Sequence, residues 1–217
     1  MGLQLPSAII FDWDNTLVDT WPVIHDSMNT TLKHMGFELW SIEETKKRVR
    51  RSLREAFPDM FGDQWEMARD IFYKRFKKIH LERLESSHGA EGLLKLLHAK
   101  KIYLGVVSNK SGENLRREAG HLGWNKYFKQ IVGAMDAKKD KPAIEPVIMA
   151  LEGSKLIPGR DVWFVGDNKI DMECAYNSGC LPILIRNMPP KLEEFGKFMP
   201  EIHFSGCDTL AALASKL

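Results

Sequence analysis

The feature that most constrains the fold is a regular alternation of short apolar runs with segments of helical periodicity. The apolar runs have the length of buried strands and occupy residues 7–11, 102–107, 130–133, 161–165, 181–185 and 201–204. Helical patterns follow several of these runs, at residues 112–122, 169–178 and 208–216. Strands that alternate with helices are typical of a parallel sheet between helical layers. The sequence therefore predicts an α/β fold, a mostly parallel Rossmann-like sheet with helices on both faces.

One long interval interrupts this alternation. Its helical patterns cover residues 22–35, 42–57 and 64–84. We predict an α/β core domain of residues 1–19 and 88–217, and a small all-helical cap domain of residues 20–87 inserted after the first strand. An insertion at this point would lie above the carboxyl ends of the strands, where a cap can close over a site.

The composition argues against several kinds of partner. The 217-residue chain is 44% hydrophobic and has a formal net charge of +2. So small a net charge gives no strong overall electrostatic attraction to nucleic acid or to an anionic membrane. Its three cysteines lack CxxC spacing, which favours reduced thiols in a cytoplasmic protein. No apolar stretch approaches the ~18 residues of a membrane span. We expect a cytoplasmic location and no nucleic-acid or membrane partner, and the oligomeric state is not indicated.

Two aspartates, Asp12 and Asp14, directly follow the first apolar run. In an extended segment, residues two apart point the same way, so the two carboxylates can converge. One ionised carboxylate can attack phosphorus to form an aspartyl-phosphate, and a second can donate and accept protons. The alternative interpretation is a turn or capping pair, because Asp is common after strands.

Three further polar clusters lie at strand ends or helix starts. Asp167 and Asp171 offer the oxygen ligands that suit Mg²⁺. Ser108 and Asn109 end a buried run where a hydroxyl and backbone N–H groups can bind an anion. Lys141 precedes a proline, which restricts its backbone, and can neutralise phosphoryl charge. The alternatives are a helix N-terminal acid, an ordinary N-cap and a solvated loop lysine.

In order and spacing, the four clusters resemble the motifs of the haloacid dehalogenase (HAD) superfamily of aspartate-nucleophile phosphotransferases. Residues 12–17 match the first motif, Ser108 the second, Lys141 the third, and Asp167 with Asp171 the fourth. The resemblance covers the whole chain. The helical insertion resembles the cap of the subgroup that contains phosphoglycolate phosphatase and β-phosphoglucomutase, and the second and third motifs look most like the phosphoglycolate phosphatase branch.

The resemblance implies that Asp12 is the nucleophile and a Mg²⁺ ligand. Asp14 would be the general acid and base, with its main-chain carbonyl also on the metal. The family's dehalogenases lack this second aspartate, so Asp14 argues against carbon–halogen chemistry. The chain departs from the family at Asn15, where Gly is usual, but Asn tolerates the unusual backbone angles that the loop needs.

The resemblance also implies the binding residues. Ser108 and backbone N–H groups near Asn109 would hold phosphoryl oxygens. Lys141 would pair with Asp12 and with the phosphoryl group. Asp167 would bind Mg²⁺ directly, and Asp171 directly or through water. A charge count agrees with the metal, because crowded carboxylates outnumber the lysine and would repel a phosphate without a divalent cation.

The expected function is a Mg²⁺-dependent phosphatase that hydrolyses a small, phosphoglycolate-like phosphorylated metabolite through an aspartyl-phosphate. The same core residues would serve a phosphomutase of the β-phosphoglucomutase type, and a non-catalytic phosphate-binding regulator is a third hypothesis. The leaving group is not readable from the sequence, because cap side chains select it.

Four residues are weaker candidates for substrate contact. Arg50, Arg51 and Arg54 fall at helical spacing on one predicted cap face, and one of them is expected to bind a second anionic group of the substrate. A solvated basic face is the alternative interpretation. Trp13 lies between the two aspartates, and a position lining the substrate cleft is the hypothesis for it.

Overall fold

The computed structural model describes residues 4–49 and 53–217, with the side chains of residues 53–55 not described. The chain divides into two compact units. One contains the described residues up to Val18 together with Ser86–Leu217, and the other is Asp19–Glu85. The first is the α/β unit and the second is helical.

The described strands are β1 (Ala8–Phe11), β2 (Val18–Asp19), β3 (Glu85–Ser86), β4 (Tyr103–Ser111), β5 (Gln130–Ala134), β6 (Val162–Gly166), β7 (Leu181–Ile185) and β8 (Ile202–Phe204). The strands of the six-stranded sheet occur where the apolar runs predicted them, and the structure adds two short strands that were not predicted, β2 and β3. The six-stranded sheet has the order β5-β4-β1-β6-β7-β8, and its pairings are parallel. β4 runs past the predicted end at Val107, because after a register shift Ser111 pairs with Ala134. The predicted α/β fold is confirmed.

The described helices follow one another between β2 and β3 and alternate with the strands after β3. They are α1 (Trp21–His34), α2 (Ile42–Arg48), α3 (Leu53–Phe61), α4 (Trp65–Ile79), α5 (Ala90–Ala99), α6 (Gly112–His121), α7 (Glu145–Ala150), α8 (Lys169–Ser178), α9 (Leu192–Phe195) and α10 (Cys207–Ala214). From β1 the sheet grows through β4 to β5 on one side and through β6 to β7 on the other. Because such crossovers are right-handed, α6 and α8 lie on opposite faces.

The order of the strands also positions the site. β1 is central, fully buried, and hydrogen-bonded to β4 and β6. Strands of a parallel sheet are covered on both faces, which explains the uninterrupted apolar run Ala8–Phe11. Successive strands are added on one side of β1 (β4, then β5) and afterwards on its other side (β6, then β7). Open α/β sheets bind ligands at the point where the strand order reverses, in the crevice at the carboxyl ends of the strands.

The helical unit contains α1–α4 and has its own apolar core. Its buried members include Met28, Phe57 and Phe72. The predicted single helix over residues 42–57 is wrong. α2 ends at Arg48, and Val49 has a ψ of 76°, outside the helical range. A continuous helix would have stacked like charges four residues apart along this lysine- and arginine-rich stretch, which destabilises helices.

Within the described ranges, no helix combines the length and the apolar character that crossing a bilayer requires.

Candidate active site

Asp12 follows β1 at the carboxyl edge of the sheet. Its N–H donates to the Val165 carbonyl at 2.8 Å, so the residue continues the strand pairing, and its side chain is buried. Thr16 Oγ1 donates to Asp12 Oδ2 at 3.2 Å. Asn15, between them, has a φ of 61°, a left-handed conformation that asparagine adopts more readily than most residues. The turn therefore forms with Asn in place of the usual Gly and brings Thr16 back to Asp12.

Lys141 is buried between two carboxylates. Its Nζ lies 2.5 Å from Asp12 Oδ1 and 2.7 Å from Asp171 Oδ1. Burial alone would lower the pKa of Lys141, but Asp12 and Asp171 outweigh burial and hold that pKa above its usual value. The lysine therefore stays charged and links the first and fourth motifs.

Asn109 fixes the backbone that carries this lysine. Its Oδ1 accepts the Lys141 N–H at 3.0 Å, and its Nδ2 donates to the Lys141 carbonyl at 3.1 Å. The Asn109 side chain is thus bonded to the Lys141 backbone, and a phosphate contact by main-chain N–H groups near Asn109 remains a prediction. Ser108 is buried at the preceding position of β4, and its Oγ accepts the N–H of Lys110 at 3.2 Å. That bond leaves the hydroxyl hydrogen of Ser108 able to donate to an anion.

Asp12, Asp167 and Asp171 form an acidic cluster. One carboxylate oxygen from each lies within 4.8 Å of the others. Asp171 is held by α8, because its Oδ2 accepts the N–H of Asn168 at 3.0 Å in a capping box. Asp171 is thus an acid at the helix N-terminus, as the alternative interpretation held; the cap engages Oδ2, while Oδ1 faces Lys141. A Cβ on Gly166 would come within 2.4 Å of the Asp171 Cβ and Cγ atoms, so this approach requires glycine.

The acidic cluster is electrostatically costly without a cation. Burial raises the pKa of Asp12 to about 7, with Asp171 and Asp14 adding to the rise and Lys141 opposing it. Burial also raises the pKa of Asp167 well above its usual value, and Asp171 and Asp12 push it the same way. Oxygen donors in this number and spacing suit a hard divalent cation, which would offset their repulsion. The residues present therefore fit a metal site.

The Asp14 side chain points to a different partner. Its Oδ1 lies 2.6 Å from Lys110 Nζ, which also lies 2.5 Å from Glu118 Oε2. The Asp14 side chain keeps 27% of its surface exposed, whereas that of Glu118 is fully buried. Metal ligation by the Asp14 main-chain carbonyl remains a prediction.

Trp13 does not line a cleft, so the hypothesis of a substrate contact is wrong for this residue. Its side chain is fully buried, and its ring packs edge-on against Trp124 and Phe128, with centroids at 5.8 and 6.4 Å. Its indole N–H donates to Glu118 Oε2 at 2.7 Å. The alternation that turns Trp13 away from Asp12 and Asp14 directs it into the core of the α/β unit.

The predicted cap arginines fall where the structure does not describe the side chains. Arg50 and Arg51 lie outside the described residues, and Arg54 lies in α3 with its side chain outside them. Because α2 ends at Arg48, the continuous helix on which these three residues were expected to share one face is absent from the described chain. Their contact with a substrate remains a hypothesis.

Lys110 and Glu118 are site residues that the sequence reasoning missed. The sequence predicted no site role for either residue. The signal was present, because Glu118 lies on the face of α6 that carries the buried residues Leu115 and Ala119. A charged residue on a buried helix face needs a partner, which points to a nearby cation.

The fold and the site together define a class of enzyme. The model of the haloacid dehalogenase-like hydrolase family matches residues 9–185. The chain belongs to this family of hydrolases.

Two curated relatives span most of this chain. A Clostridium perfringens protein, provisionally named pyrophosphatase PpaX, is 28% identical over 210 residues, covering 97% of this chain and 98% of the relative. The phosphoglycolate phosphatase of Chromobacterium violaceum is 27% identical over 194 residues, covering 85% and 87%. Among solved structures, a haloacid dehalogenase-like hydrolase from Streptococcus pneumoniae superposes with a TM-score of 0.84 at 22% identity, covering 98% and 99%, which supports the fold.

Proposed function

We propose that the protein is a Mg²⁺-dependent phosphatase that hydrolyses a small phosphorylated metabolite through an aspartyl-phosphate on Asp12. The observation that carries the proposal is the position of Lys141 Nζ, 2.5 Å from Asp12 and 2.7 Å from Asp171. One ammonium group thus joins the proposed nucleophile to the acidic cluster. Phosphoryl transfer depends on such positioning of charge more than on covalent chemistry by the protein.

The attacking group is held in place before substrate binds. Lys141 contacts Asp12 Oδ1, and the Thr16 hydroxyl donates to Asp12 Oδ2. A carboxylate held at both oxygens has little freedom to rotate away from an incoming phosphorus atom, which lowers the entropic part of the barrier. Lys141 also offers its positive charge to the equatorial phosphoryl oxygens as they approach.

The reaction then runs in two displacements. An Asp12 oxygen bonds to phosphorus while the bond to the leaving oxygen breaks, and Asp14 gives its proton to that oxygen. Water next attacks phosphorus and releases Asp12, and Asp14 takes the proton back from the water. Bound Mg²⁺, held by Asp12, Asp167 and Asp171, would supply positive charge that offsets the carboxylates and the phosphoryl group.

The substrate is proposed to be small and to carry a second anionic group. The names of the relatives support this class, because phosphoglycolate has a carboxylate beside its phosphate and pyrophosphate has a second phosphate. The helical unit, including Arg50, Arg51 and Arg54, is proposed to act as the cap that recognises this group. The cytoplasmic location stays a prediction.

The first test is hydrolysis of a panel of phosphorylated carboxylates, sugar phosphates, nucleotides and pyrophosphate, with Mg²⁺ and with EDTA. We expect Mg²⁺-dependent release of inorganic phosphate, lost in Asp12→Asn. Arg160→Met is the control, because Arg160 pairs with Glu201 ahead of β6, at the opposite edge of the sheet. Transfer of the phosphoryl group between sugar hydroxyls without its release would identify a phosphomutase. No turnover of any substrate would identify a non-catalytic binding protein.

A further inference from the structure

We propose that Lys110 and Glu118 are positioning residues that fix one oxygen of Asp14, so that its other oxygen is aimed for proton transfer. The inference rests on the proposed acid and base role of Asp14. It adds to that role Lys110, which follows the second motif, and Glu118 on α6, and gives each a defined physical task.

The contacts form one buried chain. Lys110 Nζ lies 2.6 Å from Asp14 Oδ1 and 2.5 Å from Glu118 Oε2. The same Glu118 oxygen accepts the Trp13 indole N–H at 2.7 Å. Two consecutive residues of the first motif, Trp13 and Asp14, are therefore tied to one carboxylate on α6, Asp14 through the lysine.

Burial makes this chain stiff. The side chain of Glu118 is fully buried and that of Lys110 is 7% exposed. Neither charge is stable in such surroundings without the other, because the desolvation of an unpaired ion costs several kcal/mol. Burial alone would lower the pKa of Lys110, but Asp14 and Glu118 hold it above its usual value, so the lysine remains a cation. A rigid cation thus stands at a fixed place beside Asp14.

Asp14 differs from its partners in exposure. Its Oδ1 is buried against Lys110, yet the side chain as a whole keeps 27% of its surface exposed. The exposed surface therefore belongs to the rest of the side chain, which includes Oδ2. In the first displacement the Oδ2 proton passes to the leaving oxygen as the phosphorus–oxygen bond breaks, and Lys110 stabilises the carboxylate that forms. Misplacing a general acid by about 1 Å can cost on the order of 100-fold in rate.

This task predicts a dependence on the leaving group. The leaving oxygen of an alkyl phosphate would depart as a strongly basic alkoxide, so it needs a proton from Asp14. The leaving oxygen of 4-nitrophenyl phosphate departs as a stable phenolate and needs little help from a general acid. The ratio kcat/KM reports the steps up to departure of the leaving group and excludes the later hydrolysis of the aspartyl-phosphate. A defect in the positioning of Asp14 should therefore lower kcat/KM for the alkyl ester selectively.

The test uses two variants of the chain. Lys110→Met removes the cation at similar length. Lys110→Met/Glu118→Gln removes both charges and keeps an oxygen to accept the Trp13 N–H, so it folds even if a lone Glu118 charge is not tolerated. Asp14→Asn is the reference for loss of the acid, and Arg160→Met is the control for loss of an ion pair remote from the site.

We expect both Lys110 variants to lower kcat/KM for an alkyl phosphate by about 10- to 100-fold, and for 4-nitrophenyl phosphate by less than about 3-fold. Asp14→Asn should show the same pattern more strongly, and adding Lys110→Met to it should change nothing further. Equal losses on both substrates, or no loss, in the Lys110 variants while Asp14→Asn keeps its selectivity would overturn the inference alone. Equal losses in Asp14→Asn would overturn the proposed role of Asp14 and the inference with it.

Discussion

Lys141 Nζ lies 2.5 Å from Asp12 Oδ1, although 129 positions separate the two residues in the chain. The contact exists because the segment before α7 returns to the carboxyl edge of the sheet beside β1. It joins the proposed nucleophile to a permanent positive charge.

Removal of the lysine charge should impair both catalysis and the electrostatic balance of the site. We expect Lys141→Met to lower kcat/KM by at least about 100-fold, a loss typical for one preorganised electrostatic contact to a transition state. Steady-state kinetics on the best substrate of the panel measures it. Lys95→Met is the matched control, because Lys95 is an exposed lysine paired with Glu91 on α5. Near-normal activity in Lys141→Met would contradict the proposed role.

Mg²⁺ should stabilise the folded protein, because the acidic cluster is complete only in the native state. At a concentration about 100 times its Kd, a ligand specific for the native state adds about 2.7 kcal/mol to the free energy of unfolding. For a chain of this size we expect a rise in Tm of about 5–10 °C over the EDTA sample. Asp167→Asn should remove most of the rise. A rise of equal size in that variant would place the metal elsewhere.

In EDTA, stability should fall as pH rises from about 4 towards 7 because of Asp12. Burial raises the pKa of its carboxyl to about 7 in the folded state, against about 3.9 in an unfolded chain. The folded state then binds more protons than the unfolded state over this range, so the free energy of unfolding decreases with pH. Melting curves across this range should show a smaller fall in Asp12→Asn. An identical fall in both proteins would show that Asp12 is not its source.

Gly166 should be essential to the position of Asp171. We expect Gly166→Ala to displace the Asp171 carboxylate, because a Cβ would lie 2.4 Å from its Cβ and Cγ. Activity and the Mg²⁺-dependent rise in Tm should both decrease. Gly92→Ala is the control, because Gly92 lies in α5 and a Cβ there would have no atom within 4 Å. Alanine in a helix interior should stabilise by about 1 kcal/mol. Unchanged activity and Mg²⁺ response in Gly166→Ala would contradict this account.

Much of the fold was predictable because its signals are local. The buried run that ends in Asp12 had to be a strand, and parallel strands bring their carboxyl ends to one edge. The break after Arg48 was not predictable from apolar periodicity, because periodicity ignores repulsion between neighbouring cations. The prediction that Trp13 lines a cleft failed for a similar reason. Strand alternation correctly predicts that its side chain points away from Asp12, but it does not predict that Trp124 and Phe128 bury that side chain.

The candidate site was predictable to the extent that its residues follow strand ends. Asp12 and Asp167 do so, and the resemblance joined them to Lys141. The ion pair between Lys110 and Glu118 joins the end of a strand to the face of a helix. It could not be predicted, because it depends on how α6 packs against the sheet. Asn109 shows the same limit, because its amide contacts with the Lys141 backbone join distant segments.

The most direct test of the central claim is to trap the covalent intermediate. The protein is mixed with substrate and Mg²⁺, quenched in acid within one turnover, digested, and analysed by mass spectrometry. The account predicts one phosphoryl group on Asp12, released by mild alkali as an acyl phosphate is, and none in Asp12→Asn. Phosphate release at full rate with no phosphoryl group on Asp12, or with the label on another residue, would contradict it.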